Sequence, residues 1–220
     1  SYLMVSAPSQ KNVDGNGGAQ NNGALYAFRR DAETWTQSAV IKLPEVADRS
    51  RFFGNSFDMS ETGLWLAAST NNDLIPGGQG AVYLFNRTAP ESNTWTETQK
   101  ILIPDGTGAS AEEPEVTINN DGSDLLIHWK GIVNKVYYYQ KNIDNLFILA
   151  QVIIPRSNLD PVAGRLSKIR MAKNTTHFVL GDANSPRGYF TNIQTDSDLG
   201  AQIQYARKQK LNDVTLTGLV

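Results

Sequence analysis

The sequence repeats one order of short motifs, and this internal repeat limits the fold more than any other feature. Tyr26 in "GALYAF" aligns with Tyr83 in "GAVYLF", and Tyr138 in "KVYYYQ" follows at a similar distance. Trp35 in "ETWTQSAVIKLP" aligns with Trp95 in "NTWTETQKILIP". Further upstream, "LMVSAP", "LWLAAS" and "LLIHWK" also align, and a weaker fourth copy begins at "KIRMAKNTTHFVLGDA".

Each unit contains four short apolar-alternating runs that are separated by turn residues. In the second unit they cover 55–60, 64–69, 81–85 and 95–103. Alternation with a period of two residues predicts β-strands rather than helices. Gly63 and Gly122 lie in the hairpin turns, where a positive φ is often required.

Four-stranded antiparallel units repeated every 50–60 residues predict an all-β fold, a β-propeller with about four blades in this chain. We expect a single domain over 1–220, with blades at approximately 2–50 plus 211–218, 52–105, 115–156 and 166–210. A β-sandwich with coincidentally similar hairpins is the alternative. The order of the tyrosine, tryptophan and proline landmarks favours the propeller.

The first unit begins at a second strand, so another segment must supply its first strand. The run "DVTLTG" at 213–218 is similar to the first-strand run "EVTINNDG". If 213–217 pairs with 3–7, the ring closes within this chain, as strand exchange does in propellers. In the alternative, the same run begins a further blade of a larger propeller.

The motifs resemble the FG-GAP repeat family of integrin α-type propellers. The family pattern runs from Phe-Gly through a hairpin and an "LxVGAP"-like strand to "GxVYVF" and a Trp-Thr strand. "FFGNSFDMSETGLWLAAS", "GAVYLF" and "NTWTETQKI" follow it throughout. The resemblance is strong for 2–104 and weak afterwards, and it implies a recognition domain.

Calcium-binding members of that family carry an Asp-rich loop between the first two strands of a blade. Here the corresponding turns are 61–63, 119–123 and 173–176, and they offer too few carboxylates for Ca²⁺. The loop "NVDGNGG" at 12–18 has Asp14 as its only carboxylate. We therefore expect no metal and no other cofactor, although the resemblance leaves calcium open.

Composition excludes several classes of function. The formal net charge of −2 gives no electrostatic reason to expect nucleic acid as a partner. The apolar runs are too short to span a bilayer, so we expect no membrane insertion. The chain has no cysteine, which excludes disulfides and thiolate chemistry. The Asn-, Ser-, Thr- and Gly-rich surface is typical of a secreted or cell-surface protein, and the lack of a signal peptide predicts a mature or trimmed chain.

The sequence offers no convincing catalytic constellation. His128 and His177 lie in predicted second strands and form no ligand pair. A propeller enzyme would need acidic residues clustered at the starts of the first strands, and only Asp58 and Glu115 lie near there. We expect the recurring aromatic residues Tyr26, Trp35, Tyr83, Trp95 and Tyr138 to pack between blades. Trp65 and Trp129 depart from the strand pattern, but inter-blade packing is expected for them as well.

The remaining candidates are the long loops between second and third strands, at 8–22 and 69–79. In a propeller these loops emerge on the same face as the links between blades, and short polar side chains there suit recognition of glycans or proteins. The predicted ligand-binding residues are Asn12, Asp14, Asn16, Gln20, Asn21, Asn22, Asn71, Asn72 and Asp73. The sequence therefore predicts a non-enzymatic binding or adhesion module with a protein or carbohydrate partner. A structural subunit of a surface filament or envelope assembly, in homo- or hetero-assembly, and a propeller-type glycosidase or lyase remain as alternatives.

Overall fold

A computed structural model describes residues 1–11, 21–43, 52–71, 80–104, 114–129, 135–153, 166–172, 177–182 and 188–192. These residues form fourteen strands in four antiparallel sheets and contain no helix. No segment of this part of the chain is a helix long and apolar enough to cross a membrane. The predicted all-β class is confirmed.

Each sheet is a meander of strands that follow one another along the chain, and we number the sheets as blades 1 to 4. Blade 1 consists of β1 (Tyr2–Ala7), β2 (Ala24–Asp31) and β3 (Thr34–Ile41). Blade 2 consists of β4 (Phe57–Met59), β5 (Trp65–Thr70), β6 (Ala81–Asn86) and β7 (Thr96–Leu102). Blade 3 consists of β8 (Glu115–Ile118), β9 (Asp124–Trp129), β10 (Lys135–Lys141) and β11 (Phe147–Ile153). Blade 4 contains β12 (Leu166–Met171), β13 (His177–Asp182) and β14 (Gly188–Asn192).

The turn between the first and second strands of blade 3 shows why the hairpins form where the sequence predicts them. Gly122 has a φ of 76°, a left-handed conformation that glycine adopts without steric cost. Asp121 accepts a hydrogen bond from the Ser123 main-chain N–H at 2.9 Å, so its side chain closes the turn locally. The strands on either side then pair in register from Glu115 with His128 to Ile118 with Leu125.

A β-bulge recurs between the third and fourth strands of the first three blades, and it corrects the alignment of the repeats. The bulge follows Ala27, Leu84 and Tyr138. This places Tyr137, rather than the expected Tyr138, at the position of Tyr26 and Tyr83. The sequence alone misplaced the landmark by one residue because three consecutive tyrosines conceal the alternation.

The core lies between neighbouring blades rather than within one blade. Phe53 packs between blades 1 and 2, with its ring 6.2 Å from Tyr83 and 5.9 Å from Phe85 in edge-on contacts. Trp65 of blade 2 meets Phe147 of blade 3 edge-on at 5.7 Å. Apolar residues of blades 3 and 4 form a third cluster, which comprises Leu126, Val136, Tyr138, Ile153, Ile169, Met171 and Phe178. Antiparallel sheets that pack face to face with a hydrophobic core between each pair are the blades of a β-propeller.

The expectations for the tryptophans have different outcomes. Trp65 and Trp129 are buried in the cluster between blades 2 and 3, so the expected inter-blade packing is confirmed. The same expectation is wrong for Trp35, whose side chain is 42% exposed on the outer strand β3. Trp95 is half-buried beside the cluster between blades 1 and 2.

Blade 1 has three strands in the described part of the chain, and β1 lies at the edge of its sheet. The segment 211–218, which is predicted to supply the missing first strand, lies outside the described residues. Its contribution to blade 1 and the single-domain boundary therefore stay predictions.

Candidate functional site

The first strands of blades 2 and 3 are joined by side chains that accept hydrogen bonds from main-chain groups. Ser56 Oγ accepts from the Val116 N–H at 3.1 Å. Asp58 Oδ2 accepts from the Ile118 N–H and from the Thr117 hydroxyl, each at 2.9 Å. A carboxylate that accepts two such bonds holds its neighbour more firmly than a neutral acceptor does.

The same arrangement recurs one blade further along the chain. Glu115 Oε2 accepts from the Ile169 N–H at 3.1 Å, and Thr117 Oγ1 accepts from the Met171 N–H at 3.3 Å. We call these contacts between first strands the inner seam. It is a repeated device: polar side chains of one first strand receive main-chain N–H groups of the next.

Strand geometry explains why the inner seam uses alternate residues. Successive residues of a strand point their N–H groups to opposite edges. All four residues of β8 lie opposite residues of β9. Because the Asn119 N–H bonds to the Asp124 carbonyl, the N–H groups of Glu115 and Thr117 also point to β9, and those of Val116 and Ile118 point away from it. The inner seam provides acceptors for the N–H groups that do not bond within the sheet, and buried main-chain donors require such partners.

The two acidic residues that an enzymatic interpretation would need are both parts of this seam. Asp58 lies in β4 and Glu115 in β8, where the sequence placed them. Glu115 is buried, and its Oε2 lies 3.8 Å from Nδ1 of the fully buried His128. That separation is too long for a hydrogen bond, whereas the Ile169 N–H donates to this carboxylate oxygen.

The bases of the two predicted binding loops meet at the entry to blade 2. The main-chain carbonyls of Asn21 and Asn22 accept hydrogen bonds from the main-chain N–H groups of Phe52 and Phe53, at 2.9 and 3.0 Å. The Gly54 N–H donates to the main-chain carbonyl of Ser69, the first residue of the second predicted loop and a residue of β5, at 2.9 Å. The structure thus brings the ends of both loops against the same link between blades.

Gly23 allows this close approach. Its φ of 81° lies in the left-handed region, and a Cβ at this position would lie 2.2 Å from the Phe53 carbonyl oxygen. No side chain fits at that distance, so this position requires glycine. The joint between blades 1 and 2 is therefore built by main-chain contact, at the residue that directly follows Asn22.

The structure places three of the predicted ligand-binding residues. Asn21 is half-buried, whereas Asn22 and Asn71 are only 7% and 8% exposed, at the bases of the loops. The other six lie outside the described residues: Asn12, Asp14, Asn16, Gln20, Asn72 and Asp73. The ligand-binding role of all nine stays a prediction.

The turn at the family's calcium position is filled by its own hydrogen bonds in blade 3. Asp124 accepts from Asn119 Nδ2 at 2.6 Å, from Ser123 Oγ at 2.8 Å and from the Tyr138 hydroxyl at 2.6 Å. Burial acts to raise the pKa of Asp121, but hydrogen bonds from Ser123 outweigh it, and the pKa lies below its usual value. Among the residues described, no three His, Cys, Asp or Glu side chains are grouped to hold a metal ion.

Sequence reasoning did not identify the structural role of Arg87, which contacts two aromatic rings and two main-chain carbonyls. Its guanidinium lies between two rings, 4.3 Å from the centroid of Tyr2 and 4.6 Å from that of Trp95. It also donates to the carbonyls of Gly63 and Ser92. Burial lowers the pKa of Arg87. The signal available in the sequence was an arginine directly after the strand "GAVYLFN" and shortly before the recurring Trp95.

Comparison with known proteins supports the fold and does not extend to a family. No family model matches the sequence, and no curated protein matches it. A solved protein from Lactobacillus plantarum superposes with a TM-score of 0.57 at 13% identity, over 84% of this chain and 48% of its own. Hsv2 from Kluyvelomyces marxianus superposes with a TM-score of 0.51 at 10% identity, over 88% of this chain and 58% of its own.

A candidate 6-phosphogluconolactonase from Bacteroides uniformis gives a TM-score of 0.49 at 11% identity, over 94% of this chain and 55% of its own. A solved β-propeller domain is among the further matches. At such identities the likeness concerns the fold alone. The chain spans about half the length of these similar structures.

Proposed function

We propose that this β-propeller is a non-enzymatic binding module that recognises a protein or carbohydrate through the loops on one face. The observation that carries the proposal is the use of Asp58 and Glu115 in the inner seam. These are the acidic residues that the sequence offers for chemistry near the ring centre, and both are engaged in joining blades.

The inner seam is unsuited to acid–base catalysis for a physical reason. A general acid or base must exchange a proton with a substrate within hydrogen-bond distance. Asp58 Oδ2 already accepts two hydrogen bonds, and Glu115 is buried beside His128. A substrate would have to displace contacts between blades to reach either carboxylate.

The loops at 8–22 and 69–79, by contrast, have properties that suit binding. Asn21 and Asn22, at the end of the loop at 8–22, and Ser69, at the start of the loop at 69–79, accept main-chain hydrogen bonds from Phe52, Phe53 and Gly54. Loops on such a rigid base are the common location of recognition residues. Asparagine and aspartate side chains can donate to and accept from the hydroxyl groups of a glycan or the polar surface of a protein.

The finer assignments are proposals of the same kind. The FG-GAP resemblance rests on the motifs within 2–104, and a recognition role is what that family would imply. A secreted or cell-surface location suits a chain whose surface is rich in Asn, Ser, Thr and Gly.

The proposal is tested by glycan-array binding and by pull-down of surface proteins, with single substitutions in each loop. We expect Asp14→Ala and Asp73→Ala to weaken binding of an identified partner at least about tenfold, the effect of one or two lost hydrogen bonds. Glu61→Ala is the matched control, because Glu61 is an exposed residue in the hairpin turn between β4 and β5.

Two results would contradict the proposal. One is equal loss of binding in the control and the loop variants, which would mean that the loop face is not the recognition surface. The other is reproducible turnover in a broad glycosidase and lyase screen that Asp58→Asn abolishes while the protein stays folded by circular dichroism.

A further inference from the structure

In the described part of the chain, blade 1 lacks the first strand that blades 2 and 3 have, and β1 lies at its edge. β5 and β9, which occupy the same position in their blades, each pair with a first strand on their inner side. In the described part of the chain, β1 pairs with β2 alone. Leu3 and Val5 are 46% and 43% exposed there.

The repeat shows that these residues belong to a face that is buried in the next blade. Met4, Ala67 and Leu126 pair with the residues that precede the recurring bulge, so they occupy equivalent positions. Leu3 and Val5 then correspond to Leu66 and Ala68 of blade 2. Both of these are fully buried. The face of blade 1 is thus built for burial and not for solvent.

We propose that residues 213–217 of this chain pair antiparallel with β1 as the first strand of blade 1. Their sequence "DVTLT" matches "EVTIN" of β8 and its following residue, position by position. The register of β8 against β9 places Val214 opposite Val5 and Leu216 opposite Leu3. The two apolar side chains then take the positions of Val116 and Ile118, which are fully buried in blade 3.

The polar residues of the same segment provide the second, independent argument. Asp213 and Thr215 fall at the positions of Glu115 and Thr117, the acceptors of the inner seam. In blade 1 they would face the main chain of β4, as Ser56 and Asp58 face that of β8. The segment therefore carries both the apolar side chains that the sheet needs and the acceptors that join a blade to the next one.

A disulfide trap tests the pairing directly, because the chain contains no cysteine of its own. The Asn119 N–H bonds to the Asp124 carbonyl, which makes Val116 and Ile127 a pair without mutual hydrogen bonds. The equivalent pair in blade 1 is Val214 and Val5. Cα atoms of such a pair lie about 4.5 Å apart, within the range of a disulfide.

We expect the double variant Val5→Cys, Val214→Cys to form an intrachain disulfide on mild oxidation, detected by mass and by mobility on a non-reducing gel. The matched control is Val5→Cys with Thr215→Cys, whose side chains point to opposite faces of the sheet and should stay reduced. A crosslinked dimer would overturn the proposal in favour of a second copy as the occupant. The absence of any disulfide in the folded double variant would also overturn it.

A variant without new cysteines keeps the test decisive if the double variant does not fold. Thr215→Val removes the acceptor in the segment and should lower the melting temperature by about 2–4 °C, the effect of one lost hydrogen bond in a chain of this size. Thr36→Val, at an exposed position of β3, is the control. Equal melting temperatures of the two variants would contradict a role of Thr215 in the seam.

Discussion

At the residue scale, the Thr117 hydroxyl links three blades. It donates to Asp58 Oδ2 of blade 2 at 2.9 Å and accepts from the Met171 N–H of blade 4 at 3.3 Å. A hydroxyl can do both at once, whereas a carboxylate only accepts and an ammonium only donates. Thr117 is buried, so a lost bond is not replaced by water.

We therefore predict that Thr117→Val, which keeps the shape, lowers the free energy of unfolding by about 1–3 kcal/mol. Thr117→Ser keeps the hydroxyl and should recover most of that loss. Urea denaturation measures both changes. If Thr117→Val destabilises the protein no more than Thr36→Val does, the linking role of this hydroxyl is wrong.

Tyr138 makes a second prediction at this scale. Burial and the hydrogen bond to Asp124 raise the pKa of Tyr138 above the ordinary value of 10.0. The folded-state pKa exceeds the unfolded one, so the stabilisation is complete below pH 10 and is lost as the pH rises further. Alkaline denaturation should show this loss, and Tyr138→Phe should remove its part of the pH dependence. An unchanged alkaline profile in Tyr138→Phe would contradict it.

At the scale of elements, the joint between blades 1 and 2 depends on a contact between two main chains. β2 starts directly after Gly23, whose Cα faces the Phe53 carbonyl, and Phe53 fills the space between the two blades. The position of Phe53 thus depends on a residue that has no side chain.

Gly23→Ala should destabilise the protein by at least about 1–2 kcal/mol, because a left-handed residue with a Cβ carries that penalty before any steric overlap. Gly80→Ala is the matched variant: its φ is outside the left-handed region, and its Cβ would lie 2.9 Å from the Pro114 ring. Urea denaturation should show the larger loss for Gly23→Ala. A smaller loss than for Gly80→Ala would refute this account of the joint.

The strands and hairpin turns could be predicted because alternation and glycine-containing turns are properties of the sequence itself. The register of blade 3 could not, since Tyr137 and its neighbours are alike and a bulge leaves no mark in residue type. Asp58 and Glu115 were placed on the first strands, but their role was missed. Their partners are main-chain N–H groups, which every residue except proline possesses. No sequence pattern therefore identifies these partners.

At the scale of the whole molecule, the arrangement depends on what covers β1. We predict that the full chain is monomeric and that deletion of 211–220 destabilises it or causes aggregation, because an uncovered edge exposes main-chain donors and acceptors. Light scattering and thermal unfolding of both forms measure this. Replacing 213–217 with glycine and serine keeps the length and should have the same effect. A truncated chain that stays monomeric with an unchanged melting temperature would contradict the prediction.

The inner seam also affects how such a protein can change over evolutionary time. Blade 3 offers side-chain acceptors to blade 4 and main-chain donors to blade 2. Main-chain N–H donors are present whatever the side chains are. The acceptor side chains of a duplicated or imported blade can therefore bind the N–H groups of the blade that follows it. Selection then needs to preserve only two acceptor positions per unit for the joints to hold. Duplication or deletion of gene segments can thus add or remove whole units while the rest of each unit diverges, as the fourth copy in this sequence has done.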